Sequence, residues 1–338
     1  MLAVRLRSAG GSLHLEEVPI PEPAGAEVRI RVAGCGVCRT DLHIVDGTQT
    51  RVELPVTLGH EVAGWIDAMG PDATRPLRKA RLRIGDPVVV FGGWGCGDCT
   101  ECRSGEEQRC PRGRSPGFQL DGGYAEYLLV PHPRHLVALG PLDPVEAAPL
   151  ADAGLTPFRA VRRASPWLRP GARVLLVGLG ALGQFGLQYL RGSSAGSQIE
   201  IAVRELEPSR LELAAALGAD LGLLGDEPLP WRADAVFDFV GSDDTLQGAG
   251  RDLAPNGLLL VIGEAGGRLE VGIDRVPTEA WVSTIAWGAV DELGEVVRRA
   301  RRRQTRWTVE RMPLAQAAEA HRRLRAGEVT GRIVLVPD

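Results

Sequence analysis

Four cysteines, Cys96, Cys99, Cys102 and Cys110, follow a Cys-x2-Cys-x2-Cys-x7-Cys spacing in a loop rich in small and polar residues. Thiolates this close in the chain can surround one ion, and four sulfur donors form the closed tetrahedral shell of a structural zinc. Such a shell leaves no position for a substrate, so this metal is expected to hold the loop and not to react. A pair of disulfides is the alternative. The segment from Met1 to Arg7 is too short and too charged for the apolar core of a secretory signal, so a reducing, cytoplasmic setting and a metal are expected instead. A second group of donors precedes the loop: Cys35, Cys38, Asp41 and His43 lie between Gly34 and His43, and His60 and Glu61 follow Gly59. Cys38 and His60 with one more ligand would make an open site of the kind that works on substrates. Composition does not choose that third ligand, and Cys35 reads as a small buried residue.

Gly178-Leu179-Gly180-Ala181-Leu182-Gly183 fits G-x-G-x-x-G. It directly follows the apolar run Val174 to Val177 and opens an uncharged helical stretch that reaches Leu190. In that context backbone amides and the helix dipole can hold a pyrophosphate, so Gly178, Gly180, Leu182 and Gly183 are candidate cofactor contacts. Glu205 lies 22 residues beyond Gly183, at the end of the next strand. A carboxylate there accepts hydrogen bonds from both ribose hydroxyls and repels a 2′-phosphate, which favours NAD over NADP. Arg204 is the counter-candidate, but side chains alternate along a strand, so one of the two faces the ribose and Glu205 is chosen.

The elements that must carry these groups fall into two textures. With 338 residues, 44% of them apolar, the chain suffices for about two domains with full cores. Residues 1–150 hold short β-branched runs, such as Val28 to Val32, Val62 to Ile66 and Val88 to Val90, among glycines and prolines, and read as a mainly β domain. Beyond them, strands are expected at Val174 to Val177, Ile199 to Val203, Ala235 to Val240, Leu258 to Ile262 and Ser283 to Trp287. Helices such as Pro208 to Leu217 and Asp244 to Leu253 separate some of them, the rhythm of a doubly wound parallel α/β sheet over 151–290. Residues 291–338 turn helical and end in a strand, Gly331 to Val336, that returns to the first domain. A net charge of -4 and the absence of a long apolar span predict neither nucleic acid nor membrane as a partner. Arg298, Arg299, Arg301, Arg302 and Arg303 read as the solvated end of a helix whose start carries Asp291, Glu292 and Glu295.

In order and spacing, Gly59-His60-Glu61, the Cys38 segment, the four-cysteine loop and the glycine motif resemble the zinc-dependent medium-chain alcohol dehydrogenases. Asp86 to Val90, Gly122-Gly123-Tyr124-Ala125-Glu126-Tyr127 and Gly331-Arg332 extend the resemblance over the whole chain. It implies an α/β protein with a GroES-like catalytic domain and a Rossmann domain, binding two zinc ions and NAD. Cys38 and His60 are then ligands of the catalytic zinc, Asp41 orients His60, and Glu61 stands beside the metal. Thr40 takes the proton of the substrate hydroxyl, and His43 passes it to solvent through the nicotinamide ribose. Where most relatives have a cysteine, this chain has Asp152, similar to the branch, including bacterial secondary-alcohol dehydrogenases, that ligates with aspartate. A neutral His60 with Cys38 and Asp152 balances the charge of a divalent cation. Thr156, Val240, Ile262 and Trp287 would line the nicotinamide channel, Arg210 the adenosine ribose and Arg332 the pyrophosphate. Trp94, Phe118 and Trp287 are candidate walls of an apolar substrate pocket. The implied activity interconverts alcohols, secondary ones foremost, with ketones or aldehydes, in a homodimer or homotetramer. Alternatives are a polyol or threonine dehydrogenase, a zinc-free quinone or enoyl reductase, and a non-catalytic NAD-binding structural protein.

Overall fold

The computed structural model describes residues 1–337, which divide into two compact units. The first comprises Met1–Leu155, Trp287–Arg303 and 308–337; the second comprises Thr156–Ala286 and Gln304–Trp307. Relative to the expected limits, Asp152 and Trp287 fall in the first unit, and a four-residue return at Gln304–Trp307 falls in the second.

The first unit is built on a seven-stranded sheet. The path runs Val309–Pro313, Arg332–Val336, Val28–Gly36, Glu61–Met69, Pro87–Val90 and Leu136–Ala138, with Tyr127–Val130 also pairing with Val28–Gly36. A smaller antiparallel sheet joins Leu13–Glu17, Leu2–Leu6 and Val56–Thr57. Val28, Ile30, Val62, Ile66, Val88 and Leu128 fill the core between them with Tyr124 and Trp94. The helix Arg39–Val45 begins at Cys38, where the Asp41 carboxylate reaches back to accept the Cys38 amide at 2.8 Å. This is the return half of a capping box, so the helix start fixes both a thiol and a carboxylate. The helix was not foreseen in a domain read as strands and loops.

The second unit is a six-stranded parallel sheet in the order Leu221–Leu224, Glu200–Glu205, Arg173–Val177, Ala233–Asp238, Leu253–Val261 and Trp281–Thr284. Counted along the unit this is 3-2-1-4-5-6, whose direction reverses between Arg173–Val177 and Ala233–Asp238, the crevice where open α/β sheets bind ligands. Two expected strands end early, for visible reasons. Ala233–Asp238 stops because the Asp238 carboxylate turns back to accept the amides of Val240 and Gly241 at 2.8 and 2.9 Å. The last strand is Trp281–Thr284 and not Ser283 to Trp287, since Trp287 takes a left-handed backbone, φ 50°, that no strand accommodates.

The arginine-rich helix is Val290–Arg301. Arg298 and Arg299 pair with Glu295, and Arg301 donates to the carbonyls of Leu139 and Ala138 at 2.8 and 2.6 Å. Among the described residues no helix is long and apolar enough to cross a membrane.

Candidate metal and dinucleotide sites

Cys38, His60 and Asp152 come from three separate stretches of the first unit: the cap of a helix, the approach to the strand Glu61–Met69 and the end of the turn Ala148–Ala151. All three are buried, and their donor atoms lie within 4.8 Å of one another. Asp152 Oδ2 stands 3.8 Å from Cys38 Sγ and 3.7 Å from His60 Nε2. Sulfur, nitrogen and oxygen ligands at tetrahedral angles around one zinc are about 3.3–3.6 Å apart, so this donor set fits such an ion with little movement. A thiolate, an imidazole and a carboxylate are also the chemistry zinc takes, with one position left open.

Electrostatics favour a cation in the same place. Burial alone lowers the His60 pKa, but the carboxylates of Asp41 and Asp152 outweigh it and hold the imidazole well above its ordinary value. A bound metal would displace that proton. Asp41 is fully buried; burial opposes its ionisation, yet His60 pulls its pKa below the usual carboxylate range. Its Oδ1 stands 3.4 Å from His60 Nδ1.

Glu61 and Arg332 form a buried two-point ion pair behind the cluster, one contact being 2.8 Å. Burial works against the arginine's charge, but Glu61 raises its proton affinity well above the ordinary value. Arg332, which the resemblance assigns to the pyrophosphate, gives its Nε and Nη2 to Glu61 in this structure. Glu61 also accepts the Ala153 amide at 2.9 Å, which ties it to the Asp152 turn.

Thr40 sits in the first turn of Arg39–Val45 with its hydroxyl 3.6 Å from Cys38 Sγ, and His43, half-buried, follows three residues on along the same helix face. Phe118 and Trp287 pack against the His60 ring, with centroids at 5.6 and 6.2 Å, and against each other at 6.1 Å. Trp94 does not join them. Its indole donates to the Phe91 carbonyl at 2.6 Å and its ring stacks on His135 within the core cluster.

The four cysteines are gathered and unpaired by disulfides. Their sulfurs are 3.5, 3.7 and 3.8 Å apart for the Cys96–Cys110, Cys99–Cys110 and Cys96–Cys102 pairs. Sulfurs ~2.3 Å from one tetrahedral centre are about 3.8 Å apart, so the cage already has zinc dimensions. Beneath it, Glu107 accepts the Gly95 amide at 3.1 Å, faces His135 Nε2 at 3.0 Å and pairs with Arg134. Nothing local in the sequence marks these three residues.

In the second unit the glycine loop joins Arg173–Val177 to the helix Ala181–Arg191, at the switch point of the sheet. Gly178 has φ 86°, and a Cβ at Gly183 would lie 2.1 Å from the Gly178 carbonyl oxygen. A Cβ at Gly180 would meet nothing within 4 Å, so space for a ligand opens at the helix start, beside Leu182. Glu205 ends its strand beside this loop, accepting the Leu179 and Leu206 amides at 2.5 and 2.9 Å, with Arg210 3.4 Å away. Arg204 points elsewhere, to Asp252 at 2.5 Å and the Glu227 carbonyl at 3.0 Å. Val240 lies against Gly178, Ile262 follows Leu253–Val261, and Thr156 is buried in the helix Leu155–Arg163.

A dinucleotide-type sheet in one unit, and in the other a Cys/His/Asp centre with a four-cysteine cage, define a zinc-binding dehydrogenase. Residues 24–141 match the alcohol dehydrogenase GroES-like domain, and residues 226–335 match the zinc-binding dehydrogenase family. The NAD-dependent alcohol dehydrogenase of Sulfurisphaera tokodaii is 35% identical over 100% of both chains. The D-arabinose 1-dehydrogenase (NADP(+)) of Saccharolobus solfataricus is 34% identical over 99% of this chain and 97% of its own. Among solved structures, the alcohol dehydrogenase of Aeropyrum pernix superposes with a TM-score of 0.90 at 32% identity, covering 100% of each chain. The chain therefore belongs to the zinc-dependent medium-chain alcohol dehydrogenase family.

Proposed function

We propose that this protein interconverts secondary alcohols and ketones, with NAD as the preferred hydride carrier and two zinc ions per chain, in the reducing cytoplasm that six unpaired cysteines suit. The observation that carries the reading is the buried convergence of Cys38, His60 and Asp152 on one point with zinc-like spacing. A zinc held there supplies Lewis acidity that makes an alcohol easier to deprotonate, and a nicotinamide supplies the hydride acceptor. The chain's own residues do the rest. Asp41 orients His60 from behind. The Thr40 hydroxyl, beside the Cys38 sulfur, takes the proton of the substrate hydroxyl as it gives up its own, and His43, further along the helix, passes the released proton to solvent. The Glu61–Arg332 pair keeps a further buried negative charge neutralised next to the ligands.

The amides at the start of Ala181–Arg191 take the pyrophosphate. Glu205 takes the adenosine ribose with Arg210 beside it, and the engagement of Arg204 with Asp252 supports NAD over NADP. Phe118 and Trp287, packed at steep angles about His60, favour an apolar substituent on the substrate carbon. The test is kcat/KM, with NAD and with NADP, for 2-alkanols, 1-phenylethanol, primary alcohols, polyols, threonine and pentoses. Secondary alcohols with NAD are expected to lead by about tenfold or more, the discrimination that one or two buried methylenes provide. A preference for polyols, threonine or pentoses sinks the apolar pocket, and no turnover of any alcohol sinks the activity.

The strand Trp281–Thr284 pairs on one side only, and Trp281 and Val282 are 58% and 43% exposed. An apolar open edge of this kind supports assembly into a homodimer or homotetramer. Light scattering at micromolar concentration is expected to give two or four chains, and a single chain would overturn this.

A further inference from the structure

Asp41 does more than face His60. Its Oδ2 accepts the Cys38 amide at 2.8 Å and the Tyr124 hydroxyl at 3.0 Å. An ionised carboxylate has no hydrogen to give, so the phenol is the donor in that contact. The phenol oxygen can still accept, and on its other side His321 Nε2 lies 3.3 Å away, the two rings meeting edge to face at 5.9 Å. With Tyr124 donating to Asp41, His321 must carry its proton on Nε2 to complete that contact. At the near end, Asp41 Oδ1 and His60 Nδ1 have no other partner and stand 3.4 Å apart, so the imidazole's Nδ1–H has one place to go. Every direction in the chain is then set: His321 to Tyr124, Tyr124 to Asp41, His60 to Asp41. Once a metal displaces the Nε2 proton, the lone pair left on His60 is on the side of Asp152, where the ion would sit.

The four side chains are buried and come from four distant segments. Asp41 and Tyr124 are 83 residues apart, and Tyr124 and His321 are 197 apart. His321 stands on the helix Ala317–Arg325, and Arg325 reaches from the end of that helix to Asp46, the cap of Arg39–Val45. The C-terminal helix is thus fastened to the helix whose start carries Cys38. Burying a phenol and an imidazole costs desolvation, and hydrogen bonds between them return little net stability. A phenylalanine and an aliphatic residue would fill the same space without that cost.

We infer that Tyr124 and His321 are positioning residues for the metal. They touch neither ion nor substrate; they hold the Asp41 carboxylate in the orientation that fixes the His60 tautomer. This inference rests on the reading of Cys38, His60 and Asp152 as a metal site. The test is the rate at which zinc passes from the purified protein to a chromogenic chelator, followed for both ions, in the wild type and in Tyr124→Phe, His321→Leu and His321→Gln. Tyr124→Phe and His321→Leu are expected to release one of the two zinc ions about 10- to 100-fold faster, the usual cost of losing an outer partner of a ligand. The four-cysteine zinc should leave at its original rate. His321→Gln, whose side-chain amide can donate to the Tyr124 oxygen, should restore most of the retention. Unchanged release in Tyr124→Phe and His321→Leu, or equal acceleration of both ions, overturns the inference, as does a His321→Gln variant no better than His321→Leu. A wild-type protein that holds a single zinc removes the metal site itself, and this inference with it.

Discussion

Replacing Asp152 with alanine is expected to lower the zinc content from two ions per chain to one and to abolish turnover. Asp152 is the group that closes the cluster: its Oδ2 lies 3.8 Å from the Cys38 sulfur and 3.7 Å from His60 Nε2. Without it a thiolate and an imidazole remain, one donor and one negative charge short of the set that neutralises a divalent cation. The residual pair is also buried, so water can make up the coordination only by entering a space lined by Phe118 and Trp287. Lewis-acid stabilisation is worth several kcal/mol, and each ~1.4 kcal/mol is a factor of ten, so kcat/KM should fall by about 10³-fold or more. Asp152→Asn should behave nearly as badly, because it keeps the shape and loses the charge. Asp152→Cys should retain both ions, since sulfur is an equally good donor to zinc. Zinc per chain by atomic emission, measured beside the kinetics, separates these outcomes. An Asp152→Ala protein with two ions and wild-type turnover would refute the ligand assignment.

How much of this was legible beforehand depends on how local each signal is. The four-cysteine cage spans fifteen consecutive positions, so its spacing alone announces a metal. Within the strand Arg173–Val177, Val174 to Val177 are buried and read as an unbroken apolar run, which makes the glycine loop after it legible too. Alternation along Glu200–Glu205 separates Arg204 from Glu205 for the same reason, since it depends only on neighbours. Edge strands carry no such mark. Leu221–Leu224 and Val309–Pro313 lie at the ends of their sheets, half solvated, one interrupted by glycine and the other charged and ending in proline. The direction of Trp94 is not legible from its closeness to Cys96; its backbone bridges to Arg114 and its ring packs in the core. Asp152 lies 114 residues from Cys38, and resemblance to a family, not spacing, suggested it. The reach of Asp41 to Tyr124 and His321 joins helix, loop and C-terminal helix, and no pattern within one element encodes it.

The opposite substitution pattern is expected at the cage: Cys110→Ser should lose the other zinc, leave the ion at Cys38 in place and melt one lobe of the molecule. From Cys96 to Cys110 the chain has only two short helical segments, Thr100–Arg103 and the 3-10 turn Glu107–Arg109, and Glu107 is its one buried residue. So small a lobe buries too little apolar surface to hold its shape, and the ion must supply the difference. The thiols themselves are arranged for it. Burial opposes ionisation of Cys110, but the amides of Cys96 and Arg112 bring its pKa down to about 7, while Cys99, favoured by the Cys102 amide, is pushed up to about 12 by burial and the neighbouring sulfurs. Such a shared set of protons is what a cation displaces when it binds four sulfurs at once. Small zinc-finger peptides gain about 10–16 kcal/mol from such an ion; if a quarter of the lower figure reaches global stability, ~3 kcal/mol is lost. At 2–4 °C per kcal/mol for larger domains, Tm should fall by about 6–12 °C. Glu107, Arg134 and His135 anchor the base of the loop without the metal, so amide exchange should rise between residues 96 and 110 and stay low in Val28–Gly36 and Glu61–Met69. If Cys110→Ser loses its zinc and both Tm and exchange protection stay where they were, the metal is not what holds the lobe.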